Sequence, residues 1–349
     1  MDRTISHSKG CQLCQIGAKM VLFVTGICHT KCFYCPISDL RRGTDKVYAN
    51  ETLVKSDEDI LCEARSMDAL GTGITGGEPL LKSERVVHYI TLLKNEFGID
   101  HHIHLYTSIA PDHHILTKLY NVGLDEIRFH PPIVLWDTFE TSSYHSALKE
   151  AKSLGLEVGI EIPAIKRVPE ILKVLARVGG FLNLNELEFS ETNYKELTEM
   201  GFVQSDGDYA AIGSKEVAKY ISSVKVPVYF CSSCSKDSVQ LRERFKRKAQ
   251  RVARPFEEIT EDGTLVYGTI EGVVDKGFLS ELGRDGYEIV DGTIETSWWI
   301  AEKLVQVQRS QRYTVTIIER HPGGTIVEST PLQDHCVTQN RKRKYLNVS

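Results

Sequence analysis

Cys28, Cys32 and Cys35 stand together in Thr25-Gly26-Ile27-Cys28-His29-Thr30-Lys31-Cys32-Phe33-Tyr34-Cys35-Pro36, just past a short apolar run. Thiolates at two- to four-residue spacings wrap around a cubane iron–sulfur cluster. Three on one loop are one short of the four that such a cluster takes, so one iron is left to bind a substrate or cofactor. Zinc is the competing reading, but structural zinc usually takes four ligands in pairs rather than a lone C-x3-C-x2-C. A disulfide reading is weaker, because three is odd and the chain does not look secreted. About forty residues downstream, Gly73-Ile74-Thr75-Gly76-Gly77-Glu78-Pro79 reads as a buried strand that ends in two glycines, a carboxylate and a proline. The glycines let backbone approach a ligand, the proline fixes the turn, and Glu78 offers an acceptor to an ammonium group. Alone, Gly-Gly-Glu-Pro is more often just a turn.

Together, the triad and Gly76-Gly77-Glu78-Pro79 make the chain resemble the radical S-adenosylmethionine (SAM) superfamily. Tyr34, an aromatic residue directly before the last cysteine, belongs to the same pattern. The resemblance implies that Cys28, Cys32 and Cys35 hold a [4Fe-4S] cluster and that the Gly-Gly-Glu-Pro strand end binds the methionine amino group of SAM. It implies reductive cleavage of SAM to methionine and a 5′-deoxyadenosyl radical, which abstracts hydrogen from a substrate; the cofactors carry the hard chemistry. By the same analogy, polar groups after the third to fifth strands contact the ribose and methionine carboxylate, here Thr107 or Ser108, Arg128 and Glu161. Capping a turn or pairing across the barrel is an equal alternative for each. Motif spacing and core length are similar to the branch around glycyl-radical-enzyme activating proteins such as pyruvate formate-lyase activating enzyme. The resemblance covers about two-thirds of the chain.

These residues need a frame to position them. Short β-branched runs at Met20–Thr25, Gly73–Thr75, His102–Tyr106, Glu126–His130, Glu157–Ile162, Leu187–Phe189 and Val226–Phe230 alternate with helical patterns at Asp57–Leu70, Ser83–Phe97, Pro111–Asn121, Thr138–Leu154, Pro169–Val178 and Ser214–Val224. Such alternation predicts βα units on a parallel sheet, with both motifs at the C-terminal ends of strands, where such folds place their chemistry. The expected fold is α/β: a partial (β/α)6 radical-SAM barrel over residues 18–235, after an N-terminal segment 1–17. A basic helix over 236–255 follows, then a small C-terminal α+β domain over 256–335, marked by turn signals at Glu261-Asp262-Gly263 and His321-Pro322-Gly323-Gly324, and a basic, mobile tail over 336–349.

Two further pairs, Cys11-x2-Cys14 and Cys231-x2-Cys234, flank the barrel with metal-ligand spacing. A barrel that brings its first and last strands near each other would close four thiolates on a zinc ion or a second [4Fe-4S] cluster; the alternative is two unrelated features. Cys62 fits a buried apolar position, Cys336 lies in the tail, and His101, His102, His104, His113 and His114 read as a solvated rim more than a metal site. The two extra pairs, the basic helix and the C-terminal domain depart from a simple activating enzyme and suggest another substrate or an added electron path.

Composition sets the outer bounds. The chain has 349 residues, 41% hydrophobic and 26% charged, as in ordinary globular proteins. No apolar run approaches the ~20 residues of a membrane span, and nine cysteines without an export signal point to metal ligation in a reducing cytoplasm. The net charge of −5 hides a segment from Ser235 to Arg254 with eight basic and two acidic residues. Val239 or Leu241, Phe245, Ala249 and Val252 recur there at helical spacing, so the segment predicts a helix with one packed stripe and a cationic face. That face is either solvated or binds a phosphate backbone or acidic partner. The expected partners are a low-potential electron donor such as a ferredoxin or flavodoxin and a protein or RNA substrate. A tRNA-modifying radical SAM enzyme and, outside enzymology, a zinc-binding nucleic-acid module are the rival functions.

Overall fold

The computed structural model describes residues 8–221, 225–272, 285–307 and 313–332, which belong to two compact units, Met1–Leu241 and Arg242–Ser349. Strands flanked by helices on a parallel sheet are buried on both faces. In the first unit these are β1 (Lys19–Phe23), β4 (Gly71–Thr75), β5 (His102–Thr107), β6 (Glu126–Phe129), β7 (Glu157–Pro163), β8 (Phe181–Asn185) and β9 (Val228–Cys231); a short hairpin, β2 (Tyr48–Ala49) and β3 (Thr52–Leu53), follows β1. The sheet order is β3-β2-β1-β4-β5-β6-β7-β8-β9. Every pairing from β1 to β9 is parallel, and only the hairpin pairs antiparallel. Helices α1 (Lys9–Gln15), α2 (Asp57–Ser66), α3 (Ser83–Phe97), α4 (His113–Asn121), α5 (Ser143–Leu154), α6 (Pro169–Val178), α7 (Tyr194–Glu199) and α8 (Ser214–Ile221) complete six βα units and a seventh strand. This is the partial barrel.

The helix limits follow local chemistry. Pro169 opens α6, where its missing N–H costs nothing, and Gly179 closes it in the left-handed region. Helix α4 begins at His113 rather than Pro111, because Asp112 caps it by accepting from Ile115 N at 2.9 Å. The expected helix Thr138–Leu154 divides at extended Ser142, with 3₁₀ turns over Ile133–Thr141 before α5. The expected strand Leu187–Phe189 is irregular chain, and the strand lies earlier, at Phe181–Asn185. Asn183 and Asn185 of this strand both donate to the Glu161 carboxylate, at 3.1 and 2.9 Å.

Two other expectations change. His101, His102 and His104 are buried, with only His113 and His114 of that group outside the core. Cys62 is exposed, because α2 turns Ile60, Leu61 and Ala64 inward and leaves Cys62 beside Glu58.

The second unit is built on an antiparallel sheet of β10 (Glu258–Ile259), β11 (Leu265–Gly272), β12 (Tyr287–Val290), β13 (Thr293–Thr296), β14 (Tyr313–Arg320) and β15 (Ile326–Leu332). The order is β12-β13-β11-β14-β15, with β10 against β11. Here α9 (Arg242–Val252) precedes the sheet and α10 (Trp298–Val307) follows β13. Val266, Ile270, Ile294, Ala301, Leu304, Val315 and Ile317 form its core. The basic segment is therefore helical from Ser235, a π-helix over Ser235–Leu241 that becomes α-helical from Arg242. Of its expected stripe, Ala249 is buried and Phe245 lies against His321, while Val239 and Leu241 lie in the preceding wound segment Ser235–Leu241. Cys336 and the basic tail are outside the described residues.

The buried histidines couple stability of the fold to pH. Burial, reinforced by Lys94, pushes His101 down to about 4, where the ring stacks on Phe97 and meets Thr72 Oγ1 at 2.9 Å. Burial also lowers His102, His104 and His130. An unfolded histidine takes up its proton near pH 6.5, so between about 6.5 and 4 the unfolded chain binds protons that the fold refuses. Stability is thus complete above that window and declines as pH falls through it. Urea unfolding across the window is expected to show this decline, and His101→Gln to reduce the slope by about one proton. An unchanged slope would mean that His101 is already protonated in the fold.

Candidate active site

Residues 24–47, which carry the triad, leave β1 without helix or strand. Their shape is imposed by backbone contact with the turn after β4. Val24 N donates to Thr75 O at 2.8 Å, Gly77 N to Thr25 O at 2.7 Å and Glu78 N to Ile27 O at 2.8 Å. There is no room for side chains at this seam. A Cβ on Gly77 would lie 2.5 Å from Ile27 O, and one on Gly26 would lie 1.7 Å from Arg41 O. Asp45 holds the loop from beneath, accepting from Thr25 Oγ1 at 2.9 Å and pairing with Arg85 and Lys82 at 2.7 and 2.9 Å. Those two cations, Arg85 first, hold its carboxyl well below the usual range.

Glu78 is fully buried at the head of this turn. One carboxylate oxygen accepts from Leu80 N at 2.9 Å and Thr107 Oγ1 at 2.8 Å. The other accepts from Ser108 N and Ser108 Oγ, both at 2.6 Å. Thr107 and Ser108 therefore meet Glu78, and Tyr144 adds a hydrogen bond to Ser108 O. Pro79 is buried and opens a 3₁₀ turn that leads into α3.

Of the three sulfurs, Cys28 is exposed and 3.0 Å from Thr30 Oγ1, while Cys32 and Cys35 are half-buried. Burial pushes the Cys32 thiol up. The loop is fixed from the far side by the segment between β8 and β9: buried Asn193 donates to Tyr34 O at 3.2 Å and Thr192 to Cys35 O at 3.3 Å. Tyr34 packs with Leu187, Phe189 and Leu197, and its hydroxyl is 2.9 Å from His130 Nε2. His130 Nδ1 is 2.7 Å from Glu161 O. A carbonyl only accepts, so Nδ1 carries the proton; burial keeps the ring neutral, and Nε2 then accepts from Tyr34. His130 and Asn193 were not singled out from sequence. His130 follows Arg128 by two residues at the end of the same strand, the one signal that could have found it.

The donor set fits an iron–sulfur cluster better than a single ion. All three thiols are free of disulfides. Among the described residues, no three cysteine sulfurs lie within 4.8 Å of one another. Tetrahedral zinc at a Zn–S distance of about 2.3 Å would draw its sulfurs to about 3.8 Å apart, whereas the ligands of a cubane stand wider.

Arg128 and Glu161 lie inside the barrel and are already engaged. Arg128 is buried, paired with Glu126 and with Glu161 at 2.8 Å, and donates to Tyr106 Oη and Ser8 Oγ at 3.0 Å each. Glu161 also accepts from Asn183 and Asn185. Burial alone would raise the Glu161 carboxyl, but Arg128 and the two amides outweigh it and hold it below its ordinary value. Cys11 is buried there, 3.2 Å from Asn183 Nδ2 and 3.5 Å from Arg128 Nη2. Cys14 and Cys231 meet the two ends of the Gln240 amide, at 2.8 and 3.2 Å. Gln240, in the segment after β9, thus lies between Cys14 of α1 and Cys231, with Cys11 three residues from Cys14 on the same helix, while Cys234 is exposed and 3.6 Å from Ser238 Oγ. At the other end of the strands His102, Glu126 and Glu157 gather ligand atoms within 4.8 Å. Glu126 is already bonded there by Ser8, Gly10 N and Arg128.

Replacing Glu78 by alanine would strand four buried donors. Glu78→Ala is expected to lower stability by about 3 kcal/mol, read as a reduced urea midpoint at unchanged m-value. A loss below about 0.5 kcal/mol would show that the turn does not depend on this carboxylate.

Comparison with known proteins places these features. The chain is 38% identical over 341 residues to a Methanocaldococcus jannaschii protein named for the glycyl-radical enzyme activating enzymes, with 92% of this chain and 91% of that one covered. Residues 263–332 match a domain of unknown function, DUF8061. Among solved structures, methylornithine synthase (14% identity, TM-score 0.41, 63% of this chain and 70% of that chain) and a spore photoproduct lyase variant with bound SAM (15%, 0.41, 66% and 80%) are remote likenesses. The family follows from the first relative together with the triad and its glycine-rich seam: the chain belongs to the radical SAM enzymes, in the branch of the glycyl-radical enzyme activating enzymes.

Proposed function

We propose that the protein activates a glycyl-radical enzyme by abstracting hydrogen from a glycine of that partner. The observation that carries this is the seam in which Thr25 and Ile27 of the triad loop accept from Gly77 and Glu78. It sets three free thiols directly beside the Gly-Gly-Glu-Pro strand end. The relative's name supports a protein substrate. When bound, the [4Fe-4S] cluster and SAM supply the reductive cleavage that generates a 5′-deoxyadenosyl radical.

In this reading Cys28, Cys32 and Cys35 hold the cluster. Gly76 and Gly77 let the triad loop close on the strand end that takes the methionyl group, and Pro79 sets the turn. Glu78, Thr107 and Ser108 position that turn through their mutual hydrogen bonds. Tyr34, held by His130, orders the loop between Cys32 and Cys35. Arg128 and Glu161 balance charge inside the barrel rather than facing the ribose or the methionine carboxylate, since their polar atoms are spent on each other, Glu126 and the asparagines. The electron comes from a low-potential ferredoxin or flavodoxin, and the setting is the reducing cytoplasm. The two C-x2-C pairs form a second metal centre, iron–sulfur or zinc. Among the described residues no helix is long and apolar enough to cross a membrane.

Anaerobic reconstitution, dithionite reduction and assay of 5′-deoxyadenosine test the reaction. Wild type is expected to form the nucleoside, and Cys32→Ala to fall to background. Adding SAM is expected to shift the reduced cluster's EPR spectrum before any turnover. Incubation with a glycyl-radical enzyme of the same organism should give a carbon-centred EPR doublet on the partner. A fully loaded cluster that cleaves no SAM would overturn the chemistry; cleavage stimulated by RNA and giving no glycyl radical would move the substrate to nucleic acid. Separately, Gly26→Ala is expected to lose the triad's iron while the far-UV circular dichroism stays unchanged, because the added carbon meets the Arg41 carbonyl.

A further inference from the structure

The two extra cysteine pairs sit in surroundings that narrow what they bind. Cys11 and Cys14, three apart on α1, share one face of the helix, and Cys231 ends β9. One side-chain amide, that of Gln240, spans Cys14 and Cys231, while Asn183 and Arg128 donate to Cys11. Polar donors thus reach the sulfurs of Cys11 and Cys231, as in the outer shell of a thiolate-bound centre, while Cys14 donates to the Gln240 oxygen. Lys19 supplies an independent sign. Its ammonium is buried, and among the described residues its hydrogen bonds go to Gly10 O at 3.1 Å and His104 Nε2 at 3.3 Å, with no carboxylate in ion-pair range. A buried cation without a counter-charge is costly. An anionic metal–thiolate centre at Cys11 and Cys14 would supply it.

We propose that Cys11, Cys14 and Cys231, with Cys234 of the following turn as fourth ligand, bind a second [4Fe-4S] cluster inside the barrel. The inference rests on the second-centre part of the reading above and not on the SAM chemistry. It chooses iron–sulfur over zinc because no three of these sulfurs lie within 4.8 Å of one another, wider than one tetrahedral ion would draw them. Gln240, now between two of the sulfurs, is the group that must give way to the cluster. The cluster's negative charge then lies against Lys19 and Arg128, and Asn183 donates to a ligand sulfur.

The full-length chain carrying Cys28→Ala, Cys32→Ala and Cys35→Ala isolates the site. Reconstituted anaerobically with ferrous iron, sulfide and competing zinc, it is expected to hold about four irons and four sulfides per chain and to give an S = 1/2 EPR signal on reduction. Adding Cys11→Ala and Cys231→Ala should remove both metal and signal, and Cys234→Ala alone should leave a cluster that loses iron to a chelator faster. Asn183→Ala should keep the iron and move the midpoint potential downward, because an N–H donor to sulfur favours the more negative reduced state. One zinc without sulfide, or a folded triple variant that binds no metal, overturns the proposal. Should the triple variant misfold, wild type and Cys11→Ala/Cys231→Ala are compared directly: equal iron in the two refutes the second cluster and leaves the triad standing. Wild type with no more iron than a loaded triple variant refutes the triad and leaves this site.

Discussion

Everything at the active end of the barrel depends on two stretches of backbone touching without side chains between them. Gly77 and Glu78 donate backbone hydrogen bonds to Thr25 and Ile27 at 2.7 and 2.8 Å, and an added methyl at Gly26 or Gly77 would collide with carbonyl oxygens. The three cysteines therefore sit on a loop with no regular structure of its own whose path is nevertheless determined. Loops of this kind carry function because a rigid scaffold places them. Here the scaffold is the C-terminal edge of β1 and β4, with Asp45 and its two cations beneath and Asn193 on the far side.

The second constraint is electrostatic. Closing a sheet around polar side chains forces each buried charge to find a partner, and the interior of this barrel does so around Arg128. Its guanidinium meets two carboxylates, a phenol, a serine and a thiol. Such an arrangement adds little net stability over a hydrophobic core, yet breaking one partner of it is costly. Its presence, among other buried polar groups of the same strands, thus points to a requirement for charge at that place. The N-terminal helix supplies part of the same network through Ser8 and Gly10 N, so residues 8–15 are a structural part of the barrel.

What the sequence made legible was local. The triad, the glycine pair and Ser83–Phe97 and Pro169–Val178 as helices are set by spacing within a few residues. That the strands form a parallel sheet of βα units followed from their alternation with helices. What stayed hidden depends on pairing over long separations. Asn183 and Asn185 were not singled out, because the carboxylate that recruits them is Glu161, on a neighbouring strand. His101, His102 and His104 read as solvated because their burial comes from strand neighbours and from α1 rather than from periodicity. Glu78 was legible as important but not in its role: a carboxylate free for an ammonium and one saturated by Leu80, Thr107 and Ser108 look the same in one dimension.

Glu161 joins the two cysteine regions through different atoms. Its carboxylate accepts from Asn183, which also donates to Cys11, whereas its backbone carbonyl receives His130, which holds Tyr34 beside the triad. The continuous chain Cys11–Asn183–Glu161–His130–Tyr34 therefore links the barrel interior to its mouth. Because the carbonyl is main chain, no substitution at Glu161 removes the His130 contact directly. Loss of the carboxylate would act on the interior first, leaving Arg128 with one anion fewer and Asn183 free to turn. The mouth would feel it only through a shift of β7. The geometry thus couples the two regions mechanically through one strand while insulating the Tyr34–His130 pair from charge changes below, as a loop that must hold three thiols in fixed relation requires.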